Sequence, residues 1–333
     1  MLNNISLKDA KIITSVLEGN SVLDWHRLYF ETREEVIQFL EINGFNLSKS
    51  RDKRRIEFIF KNAITYLRNI HSLYISDSFK KENIIDIFLY ASNHKKYRKD
   101  AEISCAILKV MNIINHIDSQ DLVTKIQIER QTLLKKVEKR INKHIQMMRI
   151  STGLDFEFQL SIKERDSIIS KFLTKKEGIV ARIFDRIRFR IITETKEEII
   201  PVMNYLFSNL FPYNYVIPSE TTNNLISIEY RENSFKLSKN SINKKGNKFS
   251  GPSYKVLNFI VDIPVRIDDI LILPNNSSFS NHAYIIYILT EIQIIDKQTY
   301  KNNKEGENSH ELYKGRQKKL ILERLLNKKV TNK

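Results

Sequence analysis

The sequence predicts an α+β protein in two parts: an all-helical domain over residues 1–150, then a domain over 151–333 built on a mixed β-sheet with flanking helices. Three observations carry this. Apolar residues recur at helical spacing through almost all of the first part. Beyond it, period-two alternation appears and is interleaved with helical runs. The chain also holds only 8 Gly and 6 Pro, which excludes collagen-like and Gly/Pro-rich low-complexity classes. A 41% hydrophobic share with 10% aromatics is enough for a sizeable core and argues against wholesale disorder.

In the first part, Ser6 opens a capped amphipathic run through Leu17 that Gly19 ends. Thr32-Arg-Glu-Glu35 is a capping box ahead of Val36, Phe39 and Leu40, and Gly44 is the stop signal. Further helical patterns cover 53–71, 83–92, 98–117 and 121–149. In the last of these, Leu122, Ile126, Ile128, Leu133, Leu134, Val137 and Ile141 form an apolar stripe with basic residues between. His71, His94, His116 and His144 sit in no His-Asp dyad or H-E-x-x-H pattern; His116-Ile-Asp118 comes nearest to a ligand pair. Ordinary surface or part-buried histidines are the expectation, with no hydrolytic metal site.

Composition bounds the partners. Lys+Arg outnumber Asp+Glu by 55 to 39, a net charge of +16, which suits nucleic acid, nucleotide phosphates or acidic lipid. The abundance of Lys, Ile and Asn together also reads as compositional drift. The single cysteine, Cys105, rules out an intramolecular disulfide and a cysteine-built zinc site, and it points to a reducing compartment. The longest apolar stretch, Ala283 to Ile295, is broken by Glu291 and Gln293 and falls short of the roughly 20 residues a spanning helix needs. The N-terminal stretch lacks the charged and apolar regions of a signal peptide, so a cytoplasmic protein without membrane partners is expected.

The second part reads as a helix over 161–176, a β-rich run from Phe184 to Thr193, and a helix over 195–210. Extended segments follow at 225–230, 254–263 and 284–296, then a final helix over 309–327. The polar stretch 231–253, with Gly246 and Gly251, reads as a mobile loop. Three groups of residues here suit chemistry. Lys163, Ser167, Lys171 and Lys175 recur every four residues, one stripe of a helix about 18 Å long, fit either for a polyphosphate or for solvent. Ile187, Phe189 and Ile191 alternate with Arg186, Arg188 and Arg190, and Asp185 stands at the entrance of that strand, free to face a metal or to pair with a neighbouring arginine. Glu291 and Gln293 share one face of the most apolar strand, where a carboxylate costs free energy unless it is paired or metal-bound.

In order and approximate spacing, these residues resemble the RelA/SpoT-type (p)ppGpp synthetase domain over about residues 155–320. The resemblance rests on Lys163-x3-Ser167-x3-Lys171-x3-Lys175, Phe184-Asp185-x4-Arg190-Ile-Ile, Tyr254, Glu291-Ile-Gln293-Ile and Gly306-x3-His310-x2-Tyr313-Lys314. It implies a nucleotidyltransferase-like sheet and transfer of the β,γ-pyrophosphate of ATP to the 3′-hydroxyl of GDP or GTP. On this resemblance Lys163, Ser167, Lys171, Lys175 and Arg190 hold the ATP phosphates. Asp185 and Glu291 position Mg²⁺, and Glu291 also helps to activate the acceptor hydroxyl. Tyr254 stacks on the acceptor base, with Asn258, Gln293, His310 and Lys314 around the acceptor pocket.

The chain departs from the family pattern at four places. Ser161 stands where the family has Arg, Tyr254-Lys-Val-Leu-Asn258 replaces Y-x-S-I-H, Ile295-Asp296 replaces Arg-Thr, and the interval from Lys175 to Asp185 is short. These departures leave the acceptor open between a guanosine nucleotide and the 3′ end of tRNA. A catalytically silent nucleotide- or RNA-binding protein is a third reading. Tyr205, Tyr213 and Tyr215 are alternatives to Tyr254 as the stacking ring. No His-Asp dyad precedes this half, so no hydrolase domain is expected.

Overall fold

A computed structural model describes residues 6–18, 30–125, 128–163, 165–174, 187–217, 220–231, 234–238, 253–270, 284–305 and 310–326. Helices come first: Leu7–Leu17 (α1), Arg33–Ile42 (α2), Ser50–His71 (α3), Ile84–Ser92 (α4), the single turn His94–Tyr97 (α5), Lys99–Lys125 (α6) and Arg130–Thr152 (α7). The caps form as their residues require. Ser6 Oγ accepts from the Asp9 N–H at 3.1 Å, and Thr32 Oγ1 accepts from the Glu35 N–H at 3.2 Å. The Glu35 carboxylate reaches back to the Glu31 N–H at 2.7 Å, one residue earlier than in the usual box. Gly19 lies outside the described residues. The chain does not break at the expected 118–120: α6 runs through it to Lys125, so Leu122 belongs to α6. Ser119-Gln-Asp carries no Gly or Pro to end a helix there.

Strands and helices then alternate: Phe156–Ile162 (β1), Arg165–Thr174 (α8), Ile187–Thr193 (β2), Ile199–Tyr205 (α9, continued by a π turn Leu206–Leu210), Thr222–Asn223 (β3), Ser227–Arg231 (β4), Ser234–Ser238 (β5), Leu257–Arg266 (β6), Ile285–Asp296 (β7), Lys297–Lys304 (α10) and His310–Leu326 (α11). The helix expected over 161–176 begins only at Arg165. The segment before it alternates Phe156, Phe158 and Leu160 with Glu157, Gln159 and Ser161, and it pairs antiparallel with β2. Lys163 therefore sits between strand and helix, off the stripe that the four-residue spacing suggested. Part of the expected loop 231–253 is also regular, since β5 pairs with β4.

The main sheet has the order β1-β2-β7-β6-β3, with β2 and β7 parallel and the remaining pairs antiparallel, a mixed sheet as expected. Alternation divides it into two faces. Ile191, Ile292, Ile294 and Phe259 point to one face, where Phe207 and Phe211 of the π turn and its C-cap pack on Phe259 at ring distances of 6.2 and 6.3 Å. The other face is polar over the half that carries Gln293 and Asn258. Its second half is covered by α6, whose His116 stacks on Tyr287 at 4.1 Å. One apolar core runs through both parts of the chain, from Val36, Ile64 and Leu108 to Phe189, Phe259 and Ile292. Among the described residues no helix is long and apolar enough to cross a membrane.

The end of β6 anchors the helical part. Arg266 donates to both Asp52 oxygens, at 2.5 and 3.4 Å, and to the Gly44 carbonyl at 2.8 Å; Asp52 is fully buried and also accepts from the Asn46 N–H at 2.7 Å. Gly44 itself turns the chain out of α2 with φ +90°, and a Cβ there would meet the Ile285 side chain at 3.3 Å. Gly44→Ala is therefore expected to cost about 1–3 kcal/mol. Gly315→Ala, within α11 and facing open space, should instead stabilise by about 0.5–1 kcal/mol. Urea unfolding of the two variants checks this, and a shift of the same sign in both would contradict the account.

Candidate active site

The polar half of the sheet is built by register. The parallel pairing sets Arg188 of β2 beside Glu291 of β7, and Arg190 beside Gln293. The antiparallel pairing on the other side sets Asn258 of β6 beside Gln293. Glu291 is 8% exposed and Gln293 7%, so their polar atoms must be satisfied within the protein. Arg188 Nε donates to Glu291 Oε2 at 2.9 Å, and Lys163 Nζ approaches the same oxygen at 3.5 Å. Gln293 Nε2 donates to Glu291 Oε1 at 3.1 Å. The Asn258 amide satisfies its surroundings only with its nitrogen toward Glu291, donating to Oε1 at 3.0 Å and to the Ile292 carbonyl at 3.3 Å. Arg190 closes the row with two bonds to Gln293 Oε1, from Nε at 2.9 Å and Nη2 at 2.7 Å.

Two further elements frame the row. Tyr300 of α10 takes the Arg190 guanidinium over its ring at 5.4 Å and accepts from Gln159 Nε2 of β1 at 3.1 Å. Asp296 caps α10 by accepting from the Thr299 N–H at 3.0 Å, which gives a local reason for an aspartate at that position. Tyr254 is half-buried, and burial pushes its hydroxyl above the usual range while Arg190 and Arg188 pull it down. Its backbone is held on both sides. Asn224 donates to the Tyr254 carbonyl at 2.8 Å and accepts from the Val256 N–H at 2.7 Å, and Asn303 of α10 pairs with both backbone groups of Lys255 at 3.1 and 2.7 Å.

Of the residues singled out in the sequence, Lys163, Arg190, Glu291, Gln293 and Asn258 come together in one network, with Tyr254 within electrostatic reach. Ser167 is half-buried on α8 and Lys314 is exposed on α11. Lys171 and His310 are placed on α8 and α11 by their backbone alone, their side chains lying outside the described residues, as do Asp185 and Lys175 entirely. Of the alternative stacking rings, Tyr213 and Tyr215 are buried in the core. Arg188 and Tyr300 were missed as site residues. Arg188 was visible as one of three alternating arginines, but only the β2–β7 register singles it out as the partner of Glu291. Tyr300 carried no signal beyond its residue type.

The row holds three cations around one buried carboxylate, an arrangement suited to anions bearing several phosphate oxygens. Among the described residues no group of three or more His, Cys, Asp or Glu could hold a metal ion. Glu291 is the lone carboxylate of the row, and both its oxygens face nitrogen donors, so the described residues do not by themselves fit a divalent cation.

Where α6 covers the sheet, a second polar cluster forms. His116 Nδ1 lies 3.8 Å from Asp262 Oδ2, the Tyr215 and Tyr287 hydroxyls are 3.1 Å apart, and Asn115 donates to Tyr287. His116 and Asp118 do not act as a pair, since Asp118 accepts from Arg55 at 2.7 Å.

No protein-family model and no curated protein matches the sequence. Solved structures with some likeness include those of small alarmone synthetases from Bacillus subtilis. Small alarmone synthetase 1 gives a TM-score of 0.33 and 12% identity over 59% of this chain and 87% of that one. The same protein bound to its product pppGpp gives 0.33 and 12% over 60% and 93%. Small alarmone synthetase 2 gives 0.28 and 17% over 58% and 87%. These are the class of protein that the sequence motifs resemble, but at such scores the likeness carries no argument about what this chain does.

The cluster under α6 makes a pH prediction. Burial lowers His116 to about 4, so from about pH 4 to 6.5 the unfolded chain binds more protons there and stability rises with pH. Burial raises Asp262 to about 7, so up to that pH the folded chain binds more protons and stability falls. The two slopes oppose one another in the native protein. Asp262→Asn should leave a stability that rises from about pH 4 to 6.5, and His116→Gln one that falls from about pH 4 to 7. Each change should be on the order of 1–3 kcal/mol in urea melts. Parallel profiles in both variants would refute the assignment.

Proposed function

We propose that the polar face of the sheet binds ATP and transfers its β,γ-pyrophosphate to the 3′-hydroxyl of a guanosine nucleotide, GDP or GTP. The observation that carries this reading is the cross-strand row, in which a buried carboxylate is gathered with Lys163, Arg188 and Arg190 beside a half-buried tyrosine. In the reaction the acceptor 3′-oxygen attacks the β-phosphorus and a new O–P bond forms. The bond from that phosphorus to the α,β-bridging oxygen breaks, and AMP leaves with its electron pair. The hydroxyl proton passes to Glu291, whose Oε2 faces Arg188 Nε at 2.9 Å and Lys163 Nζ at 3.5 Å in the free protein. Lys163, Arg188 and Arg190 offset the phosphate charge that would repel the incoming alcohol, with Ser167, Lys171 and Lys175 extending that contact. Tyr254 stacks on the acceptor base, with Asn258, Gln293, His310 and Lys314 around it. A requirement for Mg²⁺, with Asp185 and Glu291 as its protein ligands, belongs to the same reading.

The net charge of +16 favours a second acceptor, the 3′ end of tRNA. Labelled ATP offered with GDP, GTP or bulk tRNA separates the two. AMP should appear with GDP or GTP, depend on Mg²⁺, and fall about 10²-fold or more in Asp185→Asn and in Glu291→Gln. Lys61→Ala on α3 should leave it unchanged. Tyr254→Ala should raise the acceptor KM about tenfold, within the range for loss of one stacked base, and spare that of ATP. AMP release only with tRNA, falling steeply with salt, moves the acceptor. No AMP with any acceptor overturns the enzyme reading and leaves a nucleotide- or RNA-binding protein.

A further inference from the structure

A groove of about 830 Å³ lies where α7 passes α2, the π turn and the far end of β6. It is separate from the polar row. Val265 lines it, and alternation along β6 turns Val265 to the face opposite Asn258. The groove is also some six strand residues from the row, about 20 Å. Its lining carries Lys135, Lys136, Lys139, Arg140, Lys143 and Arg266 against only Glu41 and Asp269.

Helical spacing sorts the α7 residues into two rows. Lys136, Arg140 and His144 face inward, and Lys135, Lys139 and Lys143 form an exposed outer row. Lys136 is satisfied by Asp269 and by the Arg266 carbonyl at 3.1 Å. Arg140 has no such counterion among the described residues. It donates from Nη2 to the carbonyls of Ile42 at 3.1 Å and Leu210 at 2.9 Å, while its Nε is buried with no partner. The Nδ1 of His144, one turn further on, is buried and unpartnered in the same way. Among the described residues no carboxylate pairs with Lys135, Lys139 or Lys143. A desolvated guanidinium with carbonyl neighbours and no anion is costly, and burial pulls Arg140 down to about 10. Two inward donors below three free ammonium groups suit a compact tetrahedral polyanion, which Arg and Lys bind through several oxygens at once. The volume exceeds that of a single phosphate.

We propose that this groove is a second anion site that binds the oligophosphate of a small ligand through Arg140, His144 and the outer lysines. The probe is inorganic tripolyphosphate, titrated calorimetrically into the Lys163→Ala/Arg190→Ala variant, whose sheet face is blunted. One site per chain should remain, and adding Lys139→Glu and Lys143→Glu, two exposed changes that spare the fold, should weaken it at least tenfold. ATP and GTP as competitors tell whether a nucleotide supplies the phosphates. A second readout is the His144 imidazole followed by NMR. Its pKa lies near 4, held down by burial, Arg140 and Lys143, and a bound anion should raise it. Binding that vanishes with the sheet-face variant alone, or that ignores the glutamate pair, overturns the site. So does a short RNA that binds the groove and is not displaced by tripolyphosphate, since the surface would then read a nucleic-acid backbone.

Discussion

A carboxylate buried in the middle of an apolar strand is the constraint on which the sheet depends. Glu291 lies between Thr290, which is fully buried, and Ile292, which is too, so no water reaches it from the apolar side. Its charge is tolerable only if donors arrive from neighbouring strands. That demand fits one register. A slip of β2 by one residue would turn Phe189 toward Glu291 and send Arg188 and Arg190 into the core. The Arg188–Glu291 and Arg190–Gln293 pairings and the burial of Phe189 and Ile191 are therefore one solution to two requirements, since each strand must place apolar residues on one face and charge on the other.

The same solution leaves the face chemically poised. Arg188 and Lys163, which satisfy the carboxylate in the free protein, and Arg190 beside them are of the residue types that grip phosphate oxygens. A ligand bringing its own negative charge exchanges one set of charge-assisted bonds for another instead of creating them from solvated side chains. The surrounding parts hold this geometry by ordinary means. Asp296 starts α10, α10 presents Tyr300 to Arg190, and Asn303 and Asn224 fix the backbone that carries Tyr254. None of these supporting residues is exotic, and each restrains one that faces the row.

The helical part is built into the same body. The Arg266–Asp52 contact joins the end of β6 to the start of α3, and His116 of α6 stacks on a tyrosine of β7. Helix α6 thus covers one half of the polar face, and the row of Glu291 and Gln293 lies in the other half.

Much of this was legible in the sequence. Period and capping set the helices, because side-chain spacing and local hydrogen bonds are properties of a few neighbouring residues: Ser6, Thr32 and Gly44 act within one turn of where they stand. The shared face of Glu291 and Gln293 followed from alternation alone, and burial in an apolar strand marked Glu291 as needing partners. Local pattern misled where two patterns overlapped. The four-residue recurrence from Lys163 hid a strand in Phe156–Ile162, whose extended form is stabilised by pairing with β2, a segment some 30 residues away. Which cations meet Glu291, why Arg188 and not another arginine, how Tyr300 enters the site, and that α7 lines a basic groove were decided only by the tertiary structure. Those contacts depend on strand order and register, which are set by the summed burial of the whole sheet and not by any short stretch of it.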